Sequence, residues 1–323
     1  MMQTETGQDL AKAAHWLKAN QVVAIPTETV YGLAGNALSE KAVAAIYAAK
    51  QRPQFNPLIL HVARIDDMRL YAQMDNVSRL LAEAFMPGPL TLLLPKRDLV
   101  PDITTAGSRK VALRMPRHPM AMALLEMLDF PLAAPSANPS GYISPTTAQH
   151  VWEGLHGIIP YILDGGPSQV GVESTICEYQ DDKIILHRTG AITADMLEAV
   201  AHVEVIPLQQ QNKLHAPGQM KSHYAPNTPL YRGDIPELLE RFSGKNIGVI
   251  SFQTVHEKPH TTAYCLSPAG DLAVAANALF AQLRKADQAG HEVLVTEWFP
   301  ESGVGTAIND RLGRALAEHK QKA

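Results

Sequence analysis

The stretch VIPLQQQNKLHAPGQMKSHYAPNTPLYRGD, Val205 to Asp234, constrains the fold of this chain more than any other feature. It is polar, holds four prolines and has neither a helical nor a strand period. Proline fixes φ and removes a backbone donor, so no long helix or central strand is expected to run through it. Hydrophobic surface on the two sides must then be buried in two separate cores. The length agrees, because 323 residues exceed the ~250–300 at which a single core usually stops growing. The division expected is a first domain over 1–207, a linker over 208–229 and a smaller domain over 230–323.

On the N-terminal side QVVAIP, PLILHV, LTLLLP, KVALRMP, FPLAAPS, IIPYILDGG, ESTICEY and KIILHRT read as strands. Between them GQDLAKAAHWLKAN, LSEKAVAAIYAAK, HPMAMALLEML, TTAQHVWE and ITADMLEAV carry helical spacing, with Ser39 placed to cap the second. Many strands interrupted by helices predict an α/β fold with a large, open, twisted mixed sheet. On the C-terminal side NIGVISF and EVLVTEWF alternate with the helices SPAGDLAVAANALFAQLRKADQAG and GVGTAINDRLGRALAEH, which predicts a small three-layer α/β domain.

Several function classes are disfavoured. A net charge of −4 does not suit a protein that meets nucleic acid through its whole surface. The two cysteines, Cys177 and Cys265, form neither a disulfide framework nor a zinc site and suit a reducing cytosol. No apolar run approaches the ~20 residues of a membrane helix, and MMQTETGQDL has no signal-peptide pattern, so a cytoplasmic protein is expected. There is no P-loop, no H-E-x-x-H and no G-x-S-x-G; Gly303-Val304-Gly305 is followed by Ile308 where a dinucleotide fingerprint needs glycine. Ser174 has no evident His base.

Charge placement is more telling than its sum. Residues 1–207 hold 16 Lys+Arg against 21 Asp+Glu, yet their acids avoid particular stretches. Lys50 to Arg64 contains Lys50, Arg52, His61 and Arg64 without an acid; Ile103 to Leu125 contains Arg109, Lys110, Arg114 and Arg117; Lys183 to Ala194 contains Lys183, His187 and Arg188. Val205 to Gly233 is likewise acid-free, with Lys213, Lys221 and Arg232. Excluding carboxylates while supplying Arg and Lys is how an acidic protein builds local anion sites. Lys50 and Arg52 flank a helix end before Pro53, from which both can reach one ligand; charge complementarity to the helix terminus is the alternative. Lys110 and Arg114 are four apart on one strand and share a face. An Arg set among Val, Ala, Leu and Met needs an anion, either a ligand carboxylate or an internal acid. Ser136, Asn138, Ser140 and Ser144 lie on a loop free of charge after an apolar strand, the position where open α/β sheets place ligands.

These residues fall in a known order. Pro26-Thr27-Glu28-Thr29-Val30-Tyr31-Gly32-Leu33, Lys50-x-Arg52, Asn56-Pro57-Leu58 with His61, Leu113-Arg114-Met115-Pro116, Ser136-x-Asn138, Glu173-Ser174-Thr175 and His187-Arg188-x-Gly190 resemble the YrdC-like threonylcarbamoyl-AMP synthases. Pro217-Gly218 and His223-Tyr224-Ala225-Pro226, followed by an α/β domain, resemble the long two-domain form; Gln219 departs from it, standing where an apolar residue such as Met is expected. The resemblance implies a nucleotidyltransferase that joins L-threonine, bicarbonate and ATP into L-threonylcarbamoyl-AMP, with Mg²⁺ carried by the phosphates and no protein metal site. The product would pass to the machinery that modifies tRNA beside the anticodon. It further implies Lys50 and Arg52 at the ATP phosphates, with Asn56, Lys110, Ser136, Asn138, Ser144 and Arg188 at the nucleotide. Arg114 would clamp the threonine carboxylate, with Thr29, His61, Ser174 and the Ala134 backbone completing that site. His223 and Tyr224 would meet ATP from a linker lying over the pocket, a spacer without contacts being the alternative. His61 and Tyr31 could instead be core residues. Two other readings stand against this one: an RNA-binding module of the same fold without adenylation, and a related enzyme using carbamoyl phosphate. The second normally carries zinc-finger and acylphosphatase-like segments, which this chain lacks.

Overall fold

A computed structural model describes residues 2–207, 223–256 and 258–316. Gln209–Gln211, Lys213, Pro217-Gly218, Gln219 and Lys221, and with them most of the expected linker, lie outside the described residues. The described residues form two compact units. One contains those up to 207 except Gly141–Ser144 and Val170–Val172; these two segments join the residues from 223 onward in the other. Reading patterns along the chain has no means to show such an exchange, because it depends on contacts and not on order.

The first unit runs β1 (Glu5–Gly7), α1 (Leu10–Lys18), β2 (Val23–Ile25), β3 (Gly32–Asn36), α2 (Glu40–Lys50), β4 (Ile59–His61), α3 (Met68–Tyr71), α4 (Asn76–Phe85), β5 (Leu90–Pro95), α5 (Asp102–Thr105) and β6 (Lys110–Arg114). It continues with α6 (Pro119–Glu126), β7 (Leu132–Ala133), α7 (Ala148–Leu155), β8 (Tyr161–Leu163), β9 (Thr175–Gln180), β10 (Lys183–Arg188), α8 (Ala194–Ala201) and β11 (Val205–Pro207). The strands form one mixed sheet in the order β1-β8-β2-β3-β7-β4-β6-β5-β9-β10-β11. The mixed α/β architecture expected from the sequence is therefore present. Every strand read from the sequence is there, and Ser39 caps α2 by accepting from the Ala42 amide. Sequence reading omits β1, β3 and β11. GLAGN, the β3 sequence, has almost no strand propensity, and glycine is there for space: a Cβ on Gly35 would come within 3.2 Å of Ile46 Cδ1 on α2.

Strand alternation gives the sheet two unlike faces. Leu58, Leu60, Leu92, Leu94, Val111, Leu113 and Cys177 point into the large core. Their neighbours Ile59, Leu93, Ala112 and Ile176 point the other way and form a small, separate apolar cluster. That second face carries the polar residues of the site.

The second unit contains β12 (Leu230–Arg232), α9 (Ile235–Arg241), β13 (Ile247–Ser251), β14 (Thr261–Cys265), α10 (Leu272–Gln288), β15 (Val293–Thr296) and α11 (Gly305–Ala315). Its sheet is parallel, in the order β12-β15-β13-β14. Ile235, Leu238 and Leu239 of α9 pack on Val249, Val293 and Val295. The sequence expectation of strand–helix–strand–helix is corrected here to four strands and three helices. β12 is only three residues long and occupies the tail of the proline-rich stretch, where it is stabilised by pairing with β15 and not by its own pattern.

Candidate active site

β4 and β6 are parallel, with His61 opposite Arg114. β5 lies beside β6, and β9 beside β5, with Thr91 opposite Ile176. By alternation His61, Arg114, Thr91 and Ser174 share the face of the small apolar cluster. Arg114, buried at 4% exposure, donates through Nη2 to Thr29 Oγ1 at 2.9 Å and pairs with Glu28 Oε1 at 2.7 Å. The internal acid left open by the sequence is thus Glu28, which is fully buried. Thr29 is held by Thr27, whose hydroxyl oxygen lies 2.9 Å from its own and donates to Val30 O at 2.6 Å. His61 is buried, with Nδ1 3.2 Å from Ile59 O. Burial, reinforced by the Arg114 charge, pushes its pKa down to about 3, so the ring is neutral. The Ala134 amide donates to Ile59 O at 3.0 Å, which sets its backbone beside this strand.

Arg188 ends β10 and grips Ser174 twice, with Nε on the carbonyl at 2.9 Å and Nη2 on the hydroxyl at 3.0 Å. Gly190 allows this turn, since a Cβ there would fall 2.4 Å from the Thr175 amide. The Ser174 hydroxyl also lies 2.7 Å from Thr91 Oγ1. Among the described residues its hydroxyl partners are Thr91 and Arg188.

Lys50 closes α2, and Gln51 in the left-handed region (φ 52°) reverses the chain so that Arg52 follows inward. Lys50 is buried and donates to the carbonyls of Ser136 and, at 2.5 Å, Asn138. Burial, then the Arg52 charge, holds its pKa well below the ordinary lysine value, and Glu173 opposes them. Arg52 donates to the carbonyls of Asn56 and Pro57 at 3.1 and 3.0 Å. Asn138 Nδ2 donates to Pro139 O at 2.8 Å. Lys50, Arg52, Asn56, Ser136 and Asn138 therefore form one locality.

Other candidates are placed elsewhere. Lys110 sits at the far end of β6, ion-paired with Glu178 and 3.2 Å from Gln180 Oε1. Burial pushes the Glu178 carboxyl up, but hydrogen bonds from His187 and Lys110 outweigh it and hold its pKa low. Tyr31 is core: its hydroxyl donates to Gly166 O at 2.7 Å, and burial raises its pKa. Ser144, His223 and Tyr224 belong to the second unit. There Arg284 donates to Ile143 O at 2.5 Å and Ser144 O at 3.5 Å, and the Ala225 amide donates to Gly141 O at 2.8 Å. Tyr224 stacks on Phe280 with centroids 5.5 Å apart.

Glu28, Glu173 and Thr91 had no role in the sequence reading. A usable signal existed for each: two acids inside otherwise uncharged motifs, and one hydroxyl in the apolar run LTLLLP. Among the described residues no group of three His, Cys, Asp or Glu side chains converges as a metal site, and no helix is long and apolar enough to cross a membrane.

Comparison with known proteins places this geometry. Residues 15–190 match the Sua5/YciO/YrdC family, described as "Telomere recombination", and residues 192–317 match "Threonylcarbamoyl-AMP synthase, C-terminal domain". The chain is 42% identical over 322 residues to the threonylcarbamoyl-AMP synthase of Bacillus subtilis, covering 95% of this chain and 92% of that protein. It is 38% identical to that of Pyrococcus abyssi over 319 residues, covering 94% and 92%. Its structure aligns with P. abyssi Sua5 complexed with L-threonine at a TM-score of 0.88 and 35% identity, covering 98% of this chain and 99% of that one. Escherichia coli YciO, at 22% identity and a TM-score of 0.51, shares the fold over 59% of this chain. With both domains matched and relatives similar over nearly their full length, the chain belongs to the Sua5/YciO/YrdC family of threonylcarbamoyl-AMP synthases, in its long two-domain form.

Proposed function

We propose that this protein is a nucleotidyltransferase that makes L-threonylcarbamoyl-AMP from L-threonine, bicarbonate and ATP, releasing pyrophosphate. The observation that carries the reading is the arrangement of Arg114: a buried guanidinium held by Glu28 and Thr29, beside a neutral His61, on the sheet face that also presents the Ser174–Arg188 clamp. Glu28 offsets one positive charge and Thr29 anchors Nη2, which leaves the rest of the guanidinium to meet a carboxylate. A neutral imidazole leaves the threonine amine unrepelled.

The amine of threonine adds to bicarbonate with loss of water, giving a carbamate. A carbamate oxygen attacks the α-phosphorus of ATP, and the bond to the β-phosphate oxygen breaks as pyrophosphate leaves. ATP enters as its Mg²⁺ complex, a substrate. The obstacle is repulsion among a triphosphate, a bicarbonate and a carboxylate, so charge stabilisation and positioning outweigh any protein nucleophile. Lys50 and Arg52 take the phosphates, with Asn56, Ser136 and Asn138 shaping the loop beside them. Phosphate beside Lys50 restores the ammonium that burial disfavours. The product then supplies the threonylcarbamoyl group for tRNA modification next to the anticodon.

The test is mass spectrometry of the product from ATP, L-threonine and bicarbonate, with each omitted in turn. A mass of threonylcarbamoyl-AMP that requires all three is expected. Pyrophosphate release independent of threonine, or none, would refute the reading.

A further inference from the structure

Thr91 and Ser174 face each other with hydroxyl oxygens 2.7 Å apart, and neither residue is exposed. Each hydroxyl has one proton and two acceptor positions. Among the described residues Thr91 Oγ1 has one partner, Ser174 Oγ, and Ser174 Oγ has two, Thr91 and Arg188. The guanidinium has no acceptor, so Arg188 donates. Two hydroxyl protons therefore share one contact. One proton lies between the pair, and the other has no acceptor among the described residues. A buried O–H without an acceptor is costly, so the pair favours a ligand that brings one.

We infer that Thr91 is a positioning residue for the threonine site, and that the Thr91–Ser174 pair presents one hydrogen-bond donor to a substrate oxygen. The inference rests on the threonine site proposed above, in which Ser174 is the member that meets substrate. Its proton is then the outward one, and the Thr91 proton goes to Ser174. With Arg188 and Thr91 filling both acceptor positions, Ser174 acts only as a donor. The atom it meets is an oxygen lone pair of the substrate, not the amine N–H. Thr91 does not touch substrate; it sets the direction in which Ser174 donates.

The experiment is calorimetric titration of L-threonine into the full-length protein, with an ATP titration and a thermal melt on each variant. Thr91→Val, which keeps the shape and removes the hydroxyl, should weaken threonine binding about tenfold, near the upper worth of one hydrogen bond, and leave ATP binding unchanged. Thr91→Ser should bind threonine within about twofold of wild type. Ser174→Ala should lose at least as much as Thr91→Val, and the double variant no more than Ser174→Ala alone, because Thr91 acts through Ser174. Wild-type affinity in Thr91→Val, or single losses that multiply in the double variant, would overturn the assignment. So would a large loss in Thr91→Ser with an unchanged melt, which keeps the test decisive if Thr91→Val does not fold. A wild-type protein that binds no threonine would refute the functional reading itself. One that binds threonine normally while Thr91→Val also does refutes only this inference.

Discussion

Replacing Arg114 by leucine removes two things at once: the partner of a fully buried carboxylate and, on the proposed reading, the clamp on the threonine carboxylate. The two losses are separable. Glu28 has no exposure and its pairing with Arg114 is 2.7 Å long, so Arg114→Leu leaves a charge buried against hydrocarbon. Breaking a buried pair from one side costs about 3–5 kcal/mol. At roughly 2–4 °C per kcal/mol for a unit of this size, the first unit should melt about 10 °C lower. Adding Glu28→Gln removes the stranded charge and should restore most of that loss. The effect on substrate should not be restored. A charge-assisted contact is worth ~1.5–3 kcal/mol, which predicts a threonine KM about 10- to 150-fold higher in both the single and the double variant, with the ATP KM little changed. Pyrophosphate release at varied threonine and varied ATP, with melts on the same preparations, measures both. If Glu28→Gln/Arg114→Leu recovers the wild-type threonine KM, Arg114 is not the clamp; if Arg114→Leu melts like wild type, the ion pair has no structural weight.

Three further outcomes follow from the same geometry. The pKa of His61 is held near 3 in the folded chain against an ordinary 6.5, so its contribution to stability is present above pH 6.5 and is lost as pH falls towards 3, while the unfolded chain takes up the proton. Between pH 7 and 5 this amounts to about 2 kcal/mol, which His61→Leu should abolish in denaturant titrations; equal losses in both proteins would show that the folded ring accepts a proton. Lys50→Met removes the ammonium that holds the Ser136 and Asn138 carbonyls and should lower product formation about 10²–10³-fold, so a variant retaining a tenth of wild-type activity would exclude Lys50 from the site. Tyr31→Phe should cost about 0.5–1.5 kcal/mol of stability through its lost bond to Gly166 O and change neither KM; an altered KM would move Tyr31 from the core to the ligand.

The parts of this fold that were legible in the sequence are those with a local cause. LTLLLP and KVALRMP read as strands because apolar residues concentrate within a few positions, and the Ser39 cap follows from the residue type before a periodic run. β3 and β12 were not legible, because GLAGN and LYR become strands by pairing with neighbours far along the chain. Lys110 shows the same limit at the site: its face of the strand followed from alternation, but its partner, Glu178, came from another strand.

Taken alone, the sequence determined the chemistry available to this protein. It specified which stretches exclude acids, where Arg and Lys concentrate, and that an Arg on an apolar strand would need an anion, because burial and charge act through residue identity. Tertiary structure decided which groups satisfy one another. The Arg114 bond to Thr29 spans 85 positions and the Thr91 bond to Ser174 spans 83, and no local pattern encodes such separations. Only when folding sets the connection between β2 and β3 against the end of β6 does a buried guanidinium acquire Glu28 as its counter-charge. The same packing leaves two hydroxyls sharing one contact, with a proton to spare.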